Sequence, residues 1–343
     1  MKDASDSGCA FIRKRFVLYI LQIINISCML KTAECVSPKH PDKMCDRISD
    51  AILDAYLSQD SKSRVAIETV GSHGKVWVTG EVTTLATGVD VCGIVSKIAG
   101  DDLDISVHVV EQSREIAQGV DVGGAGDQGI MTGYATRETG TFMPKEYELA
   151  RNLCQKVYEK FPYDGKTQVT LDEDGTIFSV VTSFQNAPKA ELRALVESII
   201  PNAKEYHINP AGDWNQGGFD ADAGLTGRKI IIDNYGPEVA VGGGAFSGKD
   251  PSKVDRSGAY MARRVAVDYL EKYPSAQKVL VKLAYAIGHP QALMAVAIVD
   301  GVPQDIEGYD LTPNGIKLFL GLEAPIYADT ASWGHFGRGF AWK

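Results

Sequence analysis

The stretch Gly242-Gly243-Gly244-Ala245-Phe246-Ser247-Gly248-Lys249-Asp250 joins a freely folding backbone to a cation, a combination that can cradle phosphate. Gly243, Gly248 and Lys249 satisfy the G-x-x-x-x-G-K spacing, but Asp250 stands where a Ser or Thr hydroxyl should reach magnesium. A carboxylate there would face the phosphates and repel them. Val239-Ala240-Val241, behind a Gly-Pro turn, is too short for the strand that must feed a P-loop. A P-loop nucleotidase, hydrolysing nucleotide without a second substrate, fails on both counts. Phosphate binding in another geometry survives. Lys249, Lys253 and Arg256 are spaced to share the first turns of a helix beginning near Pro251 or Ser252, with Asp255 among them. Gly227-Arg228-Lys229 adds two cations just before a strand expected over Ile230–Asp233. These cations, flanking two glycine-rich turns, point to one polyanionic ligand rather than to a solvated basic face.

Acidic residues and one histidine complete the set. Ser37-Pro38-Lys39-His40-Pro41-Asp42-Lys43 leads into the first helical pattern. His40 could donate to a leaving oxygen, and Asp42 could ligate a hard cation such as magnesium or simply cap the helix. Glu68 and Glu81 sit inside strand patterns, where acids are disfavoured, so each faces either solvent or a site. Gly124-Ala125-Gly126-Asp127-Gln128-Gly129 again combines glycine with acid.

The elements that must position these residues recur in one order. Met44–Ser58 places Ile48, Ile52, Leu53 and Tyr56 on one helical face. Strands over Arg64–Val70 and Lys75–Thr83, a helix over Val89–Ala99 and a strand over Ile105–Val110 follow. The order returns as helix Lys145–Lys160, a hairpin of Thr167–Leu171 and Thr176–Phe184, helix Lys189–Ile200 and strand Tyr206–Ile208. A third pass reads helix Lys253–Tyr273, strands Val279–Ala286 and Ala292–Val299, and helix Thr312–Leu320. The expected fold is α+β, with three similar domains related by pseudo-threefold symmetry, each a small sheet covered on one face by helices. The expected boundaries are 30–118, 119–216 and 217–343. The glycine-rich stretches Gly119–Gly133 and Gly212–Gly248 read as irregular connections, where ligand sites concentrate.

With 343 residues, 44% hydrophobic and 23% charged, the chain is long enough for two to three domains. Its net charge of −9 argues against a general nucleic-acid binder. Its 35 glycines exceed the usual share of roughly 7%. The six cysteines form no CxxC pair, which favours a reducing cytoplasm over a disulfide framework or zinc site. Arg13, Lys14 and Arg15 precede an apolar run, Phe16 to Ile24, that resembles a short signal-peptide core. That run is too short to span a bilayer, and no later run is long enough. Residues 1–29 are expected to be an extension outside the fold.

Together, His40-Pro41-Asp42-Lys43, Gly80-Glu81-Val82-Thr83-Thr84, Gly124 to Gly129, Gly224 to Lys229 and Gly242 to Arg256 resemble the S-adenosylmethionine synthetase (methionine adenosyltransferase) family. The resemblance runs from about Leu30 to Lys343, and GGGAFSGKDPSKVDR is its most specific part. It implies that methionine sulfur attacks the 5′ carbon of ATP and that the expelled triphosphate is then hydrolysed to pyrophosphate and phosphate. By resemblance His40 contacts the oxygen between ribose and triphosphate. Lys166, Arg228, Lys229, Lys249 and Lys253 hold the polyphosphate. Asp127, Asp164, Gly165, Asp213, Trp214, Asp222 and Ala245 match nucleotide-contacting positions, and Glu81, Gln112, Asp222 and Lys253 methionine-binding ones. Asp42 and Asp255 would take two Mg2+ ions and Glu68 a K+ ion. A homodimer with active sites between subunits is implied, and two dimers commonly pair. Neither nucleic acid nor membrane is an expected partner.

The sequence departs from the family in places. Pro38-Lys39 replaces an acidic residue and glycine, so the added cation either strengthens phosphate binding or comes with a shifted His40. Val241 replaces a histidine, Asp213 an arginine and Trp214 a phenylalanine, the last with adenine stacking preserved. The span from Gln112 to Gly124 is several residues shorter than expected for the loop that closes over the site. That shortening favours a rival reading, a catalytically weak homologue that modulates an active synthetase. The intact set His40, Asp42, Lys166, Lys249 and Asp255 opposes it.

Overall fold

Three times the chain runs from a strand to a helix and then to an antiparallel hairpin. The structure, a computed structural model, describes residues 30–112 and 123–343. The expected extension, most of the shortened span and the expected boundary at 118 lie outside the described residues. First come β1 (Lys31–Val36) and α1 (Pro41–Leu57), then the hairpin of β2 (Arg64–Ser72) and β3 (Lys75–Thr83). Its two turn residues, His73 and Gly74, have φ of 44° and 77°, the twist a two-residue hairpin turn requires. α2 (Val91–Ala99) then crosses over to β4 (Asp104–Val110), parallel to β3. The second pass is β5 (Gly129–Thr136), α3 (Lys145–Lys160), β6 (Gly165–Leu171), β7 (Ile177–Phe184), α4 (Lys189–Ile199) and β8 (Glu205–Ile208). The third is β9 (Gly224–Leu225), the single turn α5 (Ile230–Asp233), α6 (Val254–Lys272), β10 (Lys278–Tyr285), β11 (Met294–Val299) and β12 (Val302–Asp305). Helices α7 (Pro313–Leu320) and α8 (Tyr327–Thr330) close the chain. The α+β architecture of three small sheets with helices matches the expectation.

The strands do not stay with their own segments. The sheets are ordered β4-β3-β2-β9, β1-β6-β7-β8 and β12-β11-β10-β5. The first segment therefore donates β1 to the second sheet, the second donates β5 to the third, and the third donates β9 to the first. Burial explains the first exchange. Cys35 and Val36 on β1 are buried in one apolar cluster with Val169, Val180, Leu153 and Val157, under α3. α1 covers the first sheet through Ile48, Ile52 and Leu53, and α6 covers the third through Val265, Ala266 and Leu270.

Two expectations fail here. Gly129–Gly133 is strand rather than irregular connection. Gly133 is there for packing, since a Cβ on it would lie 2.0 Å from the Ala262 carbonyl of α6. Ile230–Asp233 is helical, not a strand. Its β-branched run favours a strand locally, but buried tertiary contacts hold the turn, Lys43 donating to Asp233 and the Tyr147 hydroxyl to the Ile232 carbonyl. β1, β9 and β12 complete sheets that the sequence pattern alone does not define.

Candidate active site

The turn after β1 keeps following β6, with Ser37 N–H donating to the Gly165 carbonyl at 2.9 Å. This seats His40 at the N-cap of α1, with Pro41 as first helical residue, where its missing N–H is harmless. The Asp42 N–H donates to His40 Nδ1 at 3.2 Å, so that nitrogen carries no proton. Burial, reinforced by Lys229 and Lys166, pushes the imidazole down to about 3. The ring is therefore neutral and its one N–H is at Nε2. Asp42 Oδ1 accepts from Leu225 N–H at 3.0 Å, while Lys229 Nζ lies 2.5 Å from Oδ2 and Arg228 Nε 3.5 Å from Oδ1. Burial opposes ionisation of Asp42, but Lys229 and the Leu225 N–H outweigh it and hold the carboxyl below its usual range. His40, Asp42, Lys166, Arg228 and Lys229 thus form one group. Lys39 turns away from it, its ammonium donating to the Ile98 carbonyl at the end of α2, and His40 keeps its cap.

A second group lies on the open face of the first sheet. Lys249 forms a bridge with Ala66, and Ala66 in turn pairs with Glu81. Paired residues share a face, so Lys249 and Glu81 lie on one side of the sheet, flanking Ala66, with Glu68 two residues along. Lys249 Nζ is 2.6 Å from Asp255 Oδ2 in the first turn of α6. Gly244 makes room for that carboxylate, since a Cβ on it would lie 2.4 Å from Asp255 Oδ1. Gln112 follows β4, and its Oε1 is buried without a hydrogen-bond partner among the described residues. No hydrogen bond or ion pair among the described residues joins the first group to the second.

Other expected residues are placed differently. Lys253 is the N-cap of α6 and pairs with Asp250 at 2.5 Å. Asp250, the residue that spoils the P-loop spacing, is buried and also accepts from Val65 N–H, so it faces the first sheet rather than a phosphate. Arg256 does not join the cation cluster at all: it is fully buried against Asp50. Asp164 accepts from Gly218 N–H beside Gly165. The Asp213 carboxylate accepts from Lys189 N–H at the start of α4 and from the Asn209 amide. Trp214 lines a cavity of about 350 Å³ with Asn186, Pro188, Asp213 and Asn215. Asp127 and Asp222 are exposed and accept from the next residue's N–H. Ala245 packs against Gly227, bringing the two glycine-rich loops together.

The residues missed in the sequence are three aspartates that extend Asp42 into a row. Asp42, Asp46, Asp50 and Asp54 recur every four residues on α1, on one face of the helix. They accept from Leu225, Gly227, Gly248, and Tyr327 with Ala328, respectively. One helix face thus fixes both glycine-rich loops and the start of α8. Four aspartates at this spacing beside an apolar stripe were the available signal.

The buried neutral histidine has a stability consequence. The unfolded chain binds a proton at His40 near pH 6.5, the folded chain only near 3, so stability falls as pH drops between them. Asp54, raised to about 6 by burial, acts in the opposite sense because its folded form binds the proton first. Melting wild type and His40→Asn from about pH 7 to about pH 5 should give a shallower loss of Tm in the variant. Parallel curves would contradict the buried, neutral state.

Three family descriptions match in chain order. They are S-adenosylmethionine synthetase N-terminal domain over residues 28–110, central domain over 122–214 and C-terminal domain over 216–343. The S-adenosylmethionine synthase of Thermus thermophilus is 42% identical over 378 aligned positions, spanning 92% of this chain and 95% of its own. That of Brachyspira hyodysenteriae is 41% identical over 374, and that of Parvibaculum lavamentivorans 40% over 371, each again spanning 95% of its own length. The chain belongs to the S-adenosylmethionine synthetase family. These alignments are longer than the 343 residues of this chain, so the relatives carry segments that it lacks within the matched span.

Proposed function

We propose that the chain forms S-adenosylmethionine from ATP and L-methionine at a site built from the two groups described above. The observation that carries this reading is His40: a neutral imidazole with its only N–H at Nε2, beside Lys229, Lys166 and Asp42. The reaction turns a neutral thioether into a sulfonium while negative charge collects on the departing triphosphate. The Nε2–H stabilises the oxygen released from the 5′ carbon, and Lys166, Arg228, Lys229, Lys249 and Lys253 stabilise the polyphosphate. Alignment of sulfur, carbon and leaving oxygen supplies much of the remaining acceleration. Glu81 suits the methionine ammonium, and Gln112 Oε1, which has no partner among the described residues, is an acceptor beyond the same end of the sheet. Trp214 and its cavity suit adenine, with Asp127, Asp164, Gly165, Asp222 and Ala245 around the nucleotide. Asp213 contributes by holding the Trp214 loop to α4.

The donor set fits magnesium. Among the described residues no three His, Cys, Asp or Glu side chains gather as a metal cage. Asp42 and Asp255 instead each present a carboxylate beside a lysine, as suits ions held by one carboxylate and substrate phosphates. Bound there, Mg2+ would neutralise polyphosphate charge. Glu68, exposed on the open sheet face, is the candidate K+ ligand. The two groups share no hydrogen bond or ion pair among the described residues, an arrangement that suits a homodimer in which each site takes one group from each subunit. No helix among the described residues is long and apolar enough to cross a membrane. The four described cysteines are free, which supports a reducing, cytoplasmic setting.

Incubation with ATP, L-methionine, Mg2+ and K+ tests the reading. Equal amounts of S-adenosylmethionine, pyrophosphate and phosphate, formed only with methionine present, are expected. Phosphate without S-adenosylmethionine would contradict it.

A further inference from the structure

We propose that Asp50 and Arg256 are positioning residues that aim Lys249 at the polyphosphate, an inference that rests on the reading of Lys249 above. Both side chains are fully buried and paired through both carboxylate oxygens, at 2.6 and 2.8 Å. Such a pair gains little stability over well-packed apolar residues, so its work is better sought in geometry. The geometry is specific to one loop. Asp50 Oδ1 accepts from Gly248 N–H at 2.8 Å, and Arg256 Nη1 donates to the carbonyls of Phe246 and Lys249 at 3.0 and 3.1 Å. The residues on either side of the Gly248–Lys249 peptide are therefore held by one charged pair.

The pair is itself held from behind. Arg256 Nη2 donates to Thr330 Oγ1 at 2.9 Å and Nε to the Tyr260 hydroxyl at 3.0 Å, while the Tyr327 ring lies 4.3 Å from the guanidinium. Asp54, one turn beyond Asp50, accepts from Tyr327 and Ala328 N–H and fixes that backing segment to the same helix. On the solvent side the loop ends in Lys249, whose ammonium is 2.6 Å from Asp255. Rotating the loop carbonyls would move that ammonium, and displacements near 1 Å can cost about a hundredfold in rate.

A double-mutant cycle separates positioning from general support of the fold. Arg256→Lys keeps the charge but loses the fork that grips the loop. In the otherwise native chain it should lower kcat about 10- to 100-fold with the KM for methionine little changed. In a Lys249→Ala background it should lower kcat less than about threefold, because the group it aims is gone. Equal losses in both backgrounds, or native kcat in folded Arg256→Lys, would overturn the proposal. Should Arg256→Lys not fold, Thr330→Val carries the same comparison, since it removes one acceptor and leaves the ion pair intact. A loss of about threefold or more confined to the native background supports the proposal. No loss, or an equal loss, overturns it. A fully active Lys249→Ala single variant would overturn the reading of Lys249 as well, whereas an impaired one with equal losses overturns positioning alone.

Discussion

Replacing His40 with asparagine will lower kcat by about 10²–10³-fold while leaving the fold essentially intact. Asparagine is a good N-cap, so α1 keeps its first hydrogen bond. What disappears is the imidazole N–H at Nε2, fixed there because Nδ1 accepts from Asp42 N–H. Loss of one placed donor to a developing oxyanion carries a cost of this size. Alanine should behave alike in catalysis but lose about 1 kcal/mol more stability through the missing cap. Product formation with saturating ATP and methionine, read beside a thermal melt, separates the two effects. Near-native turnover in folded His40→Asn would remove the histidine from the chemistry.

Local chemistry was legible in the sequence, and partnership was not. The Lys229 and Lys249 loops could be named from residue type and spacing, because glycine turns are made by neighbours in the chain, whereas the helix cap that the spacing offered to Asp42 belongs to His40, with Asp42 inside the first turn. The hairpins were equally legible through period-two alternation. The exchange of β1, β5 and β9 was hidden, since nothing local in Lys31–Val36 says that its sheet lies with β6. Arg256 misled for a similar reason. Its spacing from Lys253 puts it on a helix turn, but only the packed structure reveals Asp50, 206 residues away, facing it. Asp213 resembled a nucleotide contact by position alone, whereas its carboxylate is occupied at the start of α4. The aspartate row on α1 was readable but reads as a solvated face until the loops it binds are placed upon it.

The second large effect follows from the proposed homodimer, in which the site is divided between two copies of the chain. His40 belongs to the group at the start of α1 and Lys249 to the group on the open face of the first sheet, and no hydrogen bond or ion pair among the described residues joins these groups. A site spanning two subunits would then take His40 from one and Lys249 from the other. His40→Asn and Lys249→Ala homodimers should each be about 10²–10³-fold impaired. In a mixed dimer, one of the two sites would receive native His40 from the Lys249→Ala chain and native Lys249 from the His40→Asn chain. Dissociating and reassociating the two variants at equal concentration should make about half the dimers mixed, each with one intact site. The most direct measurement is therefore S-adenosylmethionine formation by that remixed pair. The predicted result is recovery to about a quarter of native activity, far above either variant alone. Activity that stays at the level of the separate variants, with mixed dimers demonstrably present, would contradict a site shared between subunits.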